Sequence, residues 1–308
     1  MISPISRKPQ LLLALIGYLL TSFSVSIAAA PKPAAKKKQA EYKKPKRTRF
    51  LRVVRGEKQT PQSLETAIVR YVPQKGNGKL AVDLIGAVHI GDKSYYETLN
   101  KKFTEYDVVL YELVAPKGTR IKKGSRKQGP FGTIIKNFLK LESQVVEIDY
   151  TKKNFVHADM SFEEIGKAMK KRGESGLTVV ASIMTDMFRE SNRRAEAAAK
   201  SNRKLPKIDL ATLLFDAKRD IKLKRLMAEQ FDDLGEDGGL GKTLNVMLIK
   251  DRNAACLKVL EQQIKKGHKK IAIFYGAAHM PAFEKNLLAD FGLKRQKVEW
   301  IKAWNLKD

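Results

Sequence analysis

The sequence predicts an α/β fold: a mixed, largely parallel central sheet with helices on its faces, plus a basic helical insertion. Two observations carry that reading. Short β-branched and aromatic runs alternate with stretches of helical periodicity along residues 51–308, the order expected of strands joined by helices. That body is long enough to bury one good core, and no Ser/Gly linker divides it.

The first elements lie outside the expected domain. Arg7 and Lys8 precede an uncharged apolar stretch, Leu11–Ala30, that ends in small residues. This is the layout of a secretory signal peptide, expected over 1–28 with a cut after Ser26-Ile27-Ala28. Left uncut, the same stretch is just long enough to anchor the chain in a bilayer. A disordered basic tether is expected over 29–50, where PKPAAKKKQAEYKKPKRT has almost no large apolar side chains to offset the entropy of ordering.

The elements of the α/β domain, 51–308, follow in order. TAIVRYV (66–72) and KLAVDLIGA (79–87) flank the Gly/Asn turn QKGNGK and read as a β-hairpin. Asp92 is placed to N-cap a helix carrying Tyr96, Leu99 and Phe103. DVVLYEL (107–113) is a strand, and KGTRIKKGSRK (117–127) is a basic Gly-containing loop. FGTIIKNFLKL (131–141) is helical in pattern, and QVVEIDY (144–150) reads as a strand. Ser161 with Glu164 three residues on forms a capping box for a helix over 161–172. The stretch 177–230 is helical and strongly basic. GEDGGLGKT (235–243) is one residue too long for a phosphate-binding P-loop and follows no buried strand, so it reads as a loop before the helix NVMLIKDRNAACLKVLEQQI. KKIAIFYGA (269–277) is a strand, and AFEKNLLADFG and VEWIKAWN close the chain.

Composition narrows the function classes. There are 60 basic and 33 acidic residues, a formal charge of +27, which favours polyanionic partners. With an export signal and no nucleic-acid motif, the partner class is an anionic envelope polymer or lipid surface rather than a specific nucleic acid. A solvated surface with a solubilising tail is the simplest account of the charge. The single cysteine, Cys256, excludes an intramolecular disulfide and a multi-cysteine zinc site, and it reads as a small buried apolar residue.

Two of the four histidines close near-copies of one phrase, GAVH (86–89) and GAAH (276–279). Both follow predicted strands, and Glu112 closes a third. Open α/β sheets gather chemistry outside the carboxyl ends of their strands. Two imidazoles and a carboxylate on that rim are a ligand set for a divalent ion, zinc, manganese or cobalt among the candidates. Gly86 and Gly276 are expected to let the chain turn as it leaves the sheet. Each histidine taken singly reads as well as a residue that merely ends a strand. Arg252 falls on the apolar stripe of its helix with Leu248, Ala255, Cys256 and Val259. A guanidinium there requires an anionic partner: it pairs with Glu112, or it receives a substrate carboxylate or a developing oxyanion. Asn253 is a weaker candidate. His157 is a further ligand, a general base or a surface residue, Asp159 helps the turn before the capped helix, and His268 reads as surface. No H-E-x-x-H is present.

GAVH (86–89), DVVLYE (107–112), the Arg-Asn pair 252–253 and GAAH (276–279), in that order, resemble the TraB/PrgY/GumN (Tiki-like) family. The likeness runs from about residue 65 to about 293. It implies an α/β fold in which His89, Glu112 and His279 hold a divalent metal, with Arg252 as a substrate or transition-state contact. Members similar to Tiki act as metal-dependent peptidases. The expectation is therefore an exported, metal-dependent hydrolase, periplasmic, envelope-bound or secreted, that cleaves peptide or protein substrates with a metal-activated water. Glu112 serves as ligand or as general base. The competing expectation is a non-enzymatic envelope protein that binds an anionic polymer or peptide through its basic surface.

Overall fold

Residues Pro61–Pro73 form the long strand β2, on which the antiparallel half of the sheet is built. The computed structural model describes residues 49–75, 78–125, 138–173, 218–237 and 249–307, with single positions 136, 185 and 216. Strand β1 (Leu51–Arg55) pairs with β2 through residues 61–66, and β3 (Ala81–Ala87) pairs with it through 68–71. The two share one edge of β2. The other edge is covered from Ser63 to Pro73 by β9 (Leu293–Asn305), also antiparallel. The hairpin expected between 66–72 and 79–87 is therefore present, with Tyr71 opposite Val82.

Beyond β3 the sheet is parallel. Its neighbours are β8 (Lys270–Gly276), β5 (Val108–Tyr111) and β7 (Phe155–His157), in that order. The mixed sheet with helices on its faces is thus as the sequence predicts. A separate two-stranded piece pairs β4 (Ile90–Gly91) with β6 (Glu142–Ser143).

Side-chain alternation builds two cores, one on each sheet face. Along β8, Ile271, Ile273 and Tyr275 join one core while Ala272 and Phe274 join the other. The second of these is covered by helix α1 (Lys93–Lys102), with Tyr95, Tyr96 and Leu99 fully buried. The first is covered by α5 (Asp251–Lys265) and α6 (Met280–Ala289), through Cys256, Leu260, Phe283 and Leu287. Cys256 is buried, as its size and polarity suggest. The capping box holds α3 (Phe162–Lys171): Ser161 Oγ accepts from the Glu164 amide at 3.1 Å, and Glu164 accepts from the Ser161 amide at 2.9 Å.

Several expectations need correction. Gln144–Glu147 form a short helix, α2, in place of the strand expected over 144–150. Burial falls on Gln144, Glu147 and Ile148, a helical spacing, and the segment bonds to a loop: Gly124 donates to the Val146 carbonyl and Tyr150 to the Ile121 carbonyl. The edge of β5 that this strand would need is taken by β7, only three residues long and so without a readable period. Asp92 sits at the N-cap of α1 but makes no side-chain cap bond. Its carboxylate instead receives Lys224 at 3.1 Å and the Asn305 amide at 2.5 Å. Phe50, at the end of the expected tether, is buried against the domain.

The basic loop is bound to the body as far as Ser125, with Arg120 donating to the Thr151, Lys152 and Phe155 carbonyls, Lys117 paired with Glu164 and Lys123 with Glu147. Of the basic insertion, the described helix is α4 (Arg219–Asp237), joined to the sheet by the Arg55–Glu229 pair and by Arg225 Nε on the Leu306 carbonyl at 2.9 Å. This helix also takes in the first residues of GEDGGLGKT. The rest of that segment, the signal peptide, the tether up to residue 48 and most of 131–141 and 177–230 lie outside the described residues. Among the described residues no helix is long and apolar enough to cross a membrane.

Trp304 ties this architecture to the rim of the sheet. Its ring is fully buried, and its Nε1–H donates to the Ile90 carbonyl at 2.7 Å, next to His89. Trp304→Ala is expected to lower stability by about 3–5 kcal/mol, read from the urea midpoint at unchanged slope.

Candidate functional site

Because β3, β8, β5 and β7 run parallel, their carboxyl ends open on one edge, and each delivers a polar side chain there. His89 comes two residues after β3, Glu112 directly after β5, Asp159 two residues after β7, and His279 on the short turn after β8. His89, Glu112 and His279 meet around Gly276. A methyl group at its Cα would lie 3.4 Å from Glu112 Oε2, 3.8 Å from His89 Nε2 and 3.8 Å from His279 Cδ2. The two Gly-Ala-x-His phrases and the intervening glutamate thus converge.

The glycines do not turn the chain as expected. Gly86 and Gly276 have no positive φ. At Gly86 a methyl would meet the Phe50 and Ala67 carbonyls at 3.4 and 3.5 Å, ordinary contact distances. Gly276 keeps the space between the three side chains open.

Glu112 is held at both oxygens. Oε2 accepts the Gly276 amide at 2.6 Å and Oε1 accepts Arg252 Nη2 at 2.5 Å, leaving each oxygen a further lone pair. Burial works to raise its pKa, but His279, Arg252, His89 and the Gly276 amide more than offset this, so the group is held below the ordinary carboxylate value.

Arg252 is buried on α5, and the partner its position demands is a pair of carboxylates. Besides Glu112 it grips Asp159 in a fork, Nε to Oδ1 at 2.9 Å and Nη2 to Oδ2 at 2.7 Å. Burial opposes its charge, yet the hydrogen bond to Asp159 and the fields of both carboxylates raise its pKa.

His279 is fixed in one tautomer. Asn253 Nδ2 donates to the His279 carbonyl at 3.1 Å, which can only accept. Asn253 Oδ1 therefore faces the ring, and His279 Nδ1 must donate to it at 2.6 Å. That leaves Nε2 bare, 3.6 Å from Glu112 Oε1. The ring is packed edge-on against Tyr275 and stacked on Phe283. Burial pushes its pKa down to about 4, despite the pull of Glu112, so the imidazole is neutral at neutral pH.

The donors suit a divalent ion in kind. A neutral imidazole with a bare Nε2, its other nitrogen bonded to an amide oxygen, is the form in which histidine binds metal. The 3.6 Å between His279 Nε2 and Glu112 Oε1 is close to the roughly 3–3.5 Å of two ligands that share an ion at bonds of about 2.1 Å. His89 is the exposed third member. Among the described residues, no three His, Cys, Asp or Glu side chains are gathered closely enough to enclose an ion as they stand; this is an open donor set on a rim.

His157 stands apart. Its Nε2 lies 2.6 Å from the Leu113 carbonyl, so that nitrogen carries the proton, and its ring packs on Tyr111. Asp159 and Asn253 are the residues that sequence reasoning undervalued. Asp159 follows a strand as Glu112 does, a signal that becomes readable only once β7 is recognised, and Asn253 is buried beside Arg252 in the first turn of α5. Compared with protein-family models, with curated proteins and with solved structures, the chain matches none.

The depressed pKa of His279 has a consequence for stability. Between pH about 4 and 6.5 the unfolded chain binds more protons at this position than the folded one, so stability rises with pH across that window and is lost as pH falls. Glu112, lowered on folding, acts in the same direction at lower pH. The metal-free protein is expected to lose about 3 kcal/mol from the histidine alone between pH 7 and pH 4. Denaturant midpoints across that range check it, and His279→Gln should flatten the curve.

Proposed function

We propose that this chain is an exported, metal-dependent hydrolase acting on peptide bonds. The observation that carries the reading is the convergence of His89, Glu112 and His279 on Gly276 from three parallel strand ends, with the bare Nε2 of His279 turned to Glu112. The export element rests on the leader pattern alone, and the choice of peptide substrates on the Tiki-like motifs.

His89, His279 and Glu112 would hold the ion. A divalent ion bound there supplies a Lewis acid and a water of lowered pKa. The protein's own part is to prepare the donors. Asn253 keeps the proton of His279 on Nδ1, away from the site. The Gly276 amide and Arg252 hold the Glu112 carboxyl group in one orientation and keep it ionised, so that it either binds the ion or accepts a proton. Arg252 acts here as a positioning residue, through its contacts with Glu112 and Asp159.

The wild-type chain, purified with zinc, manganese and cobalt available, should carry one divalent ion and cleave peptides, and His89→Ala and His279→Ala should lose both properties. A wild type that binds none of these ions, or variants that bind them equally well, would remove the reading. Salt-dependent binding of an anionic polymer that survives loss of both histidines would favour the non-enzymatic alternative.

Gly276→Ala gives a milder test. The added methyl makes only ordinary contacts at 3.4–3.8 Å and the backbone φ suits alanine, so the fold should keep its melting temperature. Ion affinity should nevertheless fall about tenfold or more, because the methyl lines the space between the donors.

A further inference from the structure

Sequence assigns Asp159 only to the turn before α3, and it is not among the donors that face Gly276. Yet its side chain is fully buried and is committed to Arg252 by two hydrogen bonds, with the Met160 amide on Oδ1 at 2.7 Å. The Nη2 that it grips is the same nitrogen that donates to Glu112 at 2.5 Å. Glu112 and Arg252 taken together carry no net charge, and a neutral imidazole adds none. In that state the rim has no Coulombic attraction for a dication, and the guanidinium repels it at close range with little solvent screening.

We propose that Asp159 is the charge-balancing residue of the site: by neutralising Arg252 it leaves the negative charge of Glu112 available to hold a divalent cation. Asp159, Arg252 and Glu112 sum to one negative charge, and the fork geometry keeps the guanidinium plane fixed while it positions Glu112. Asp159 is thus a positioning and electrostatic residue that acts through Arg252. The inference rests on the metal-site reading above.

The test titrates cobalt(II) into the metal-free, full-length chain and follows it by calorimetry. Asp159→Asn keeps the shape of the side chain and removes its charge; affinity should fall about tenfold or more. Removing the guanidinium as well, in Asp159→Asn/Arg252→Met, restores one net negative charge and should raise affinity well above that of Asp159→Asn, though short of the wild-type value because Glu112 loses a hydrogen bond that orients it. Such a rescue would not follow if Asp159 were only a scaffold. Should Asp159→Asn fail to fold, the double variant is compared with Asp159→Asn/Arg252→Lys, which keeps a positive charge at that position: the lysine variant should bind cobalt about tenfold or more weakly. Equal affinity in Asp159→Asn, a methionine double variant as weak as the single one, or equal affinity in the methionine and lysine double variants overturns the proposal while the metal site stands. A wild type that does not bind cobalt removes the metal site and this inference with it.

Discussion

The buried guanidinium of Arg252 is the constraint on which the site depends. An unpaired charge at that depth would cost far more than a helix contact returns, so the surrounding chain has to present anions to it. It does so from two directions, Glu112 at the end of β5 and Asp159 after β7. One side chain of α5 therefore fixes the relative position of two strand ends. A buried ion network of this kind is weak evidence of stability, because apolar packing of equal volume often does as well. What it supplies is orientation: the carboxyl group of Glu112 has one direction in which both its oxygens are satisfied.

The parallel half of the sheet makes the convergence possible. In an antiparallel sheet, neighbouring strands would end on opposite edges, and His89, Glu112 and His279 would be separated by the length of a strand. Here β3, β8 and β5 lie side by side in parallel register, so residues almost two hundred positions apart in sequence leave the sheet at one place. The antiparallel half, with β2 clamped between β9 and the shared edge of β1 and β3, supports this rim. Trp304 and the Asp92–Lys224 contact then tie the C-terminal strand and α4 to the segment that follows His89.

Much of this was legible in the chain. Uniformly apolar runs such as IAIFYG mark buried strands because both faces of the sheet are covered. Ser161 and Glu164 mark a helix start because a helix N-terminus has unsatisfied amides. The repeated Gly-Ala-x-His marks corresponding strand ends. Legibility failed where local pattern and tertiary demand differ. Val145, Val146 and Ile148 suit a strand, but the edge of β5 is taken by β7 and the loop at 121–124 offers backbone partners instead. Asp92 suits a cap, but a buried lysine and a backbone amide from β9 claim its oxygens. β7 is too short for any period to show.

By itself the sequence determined the fold class, the strand ends that carry the histidines and Glu112, and the need of Arg252 for an anion, because periodicity, strand-end chemistry and the cost of burying charge are local or one-body properties. Only the tertiary structure decided that Asp159 shares Arg252 with Glu112, that Asn253 fixes the proton of His279, and that Gly276 keeps open the space where three side chains meet. Those are properties of pairs distant in the chain, set by which strands lie adjacent and in which direction they run.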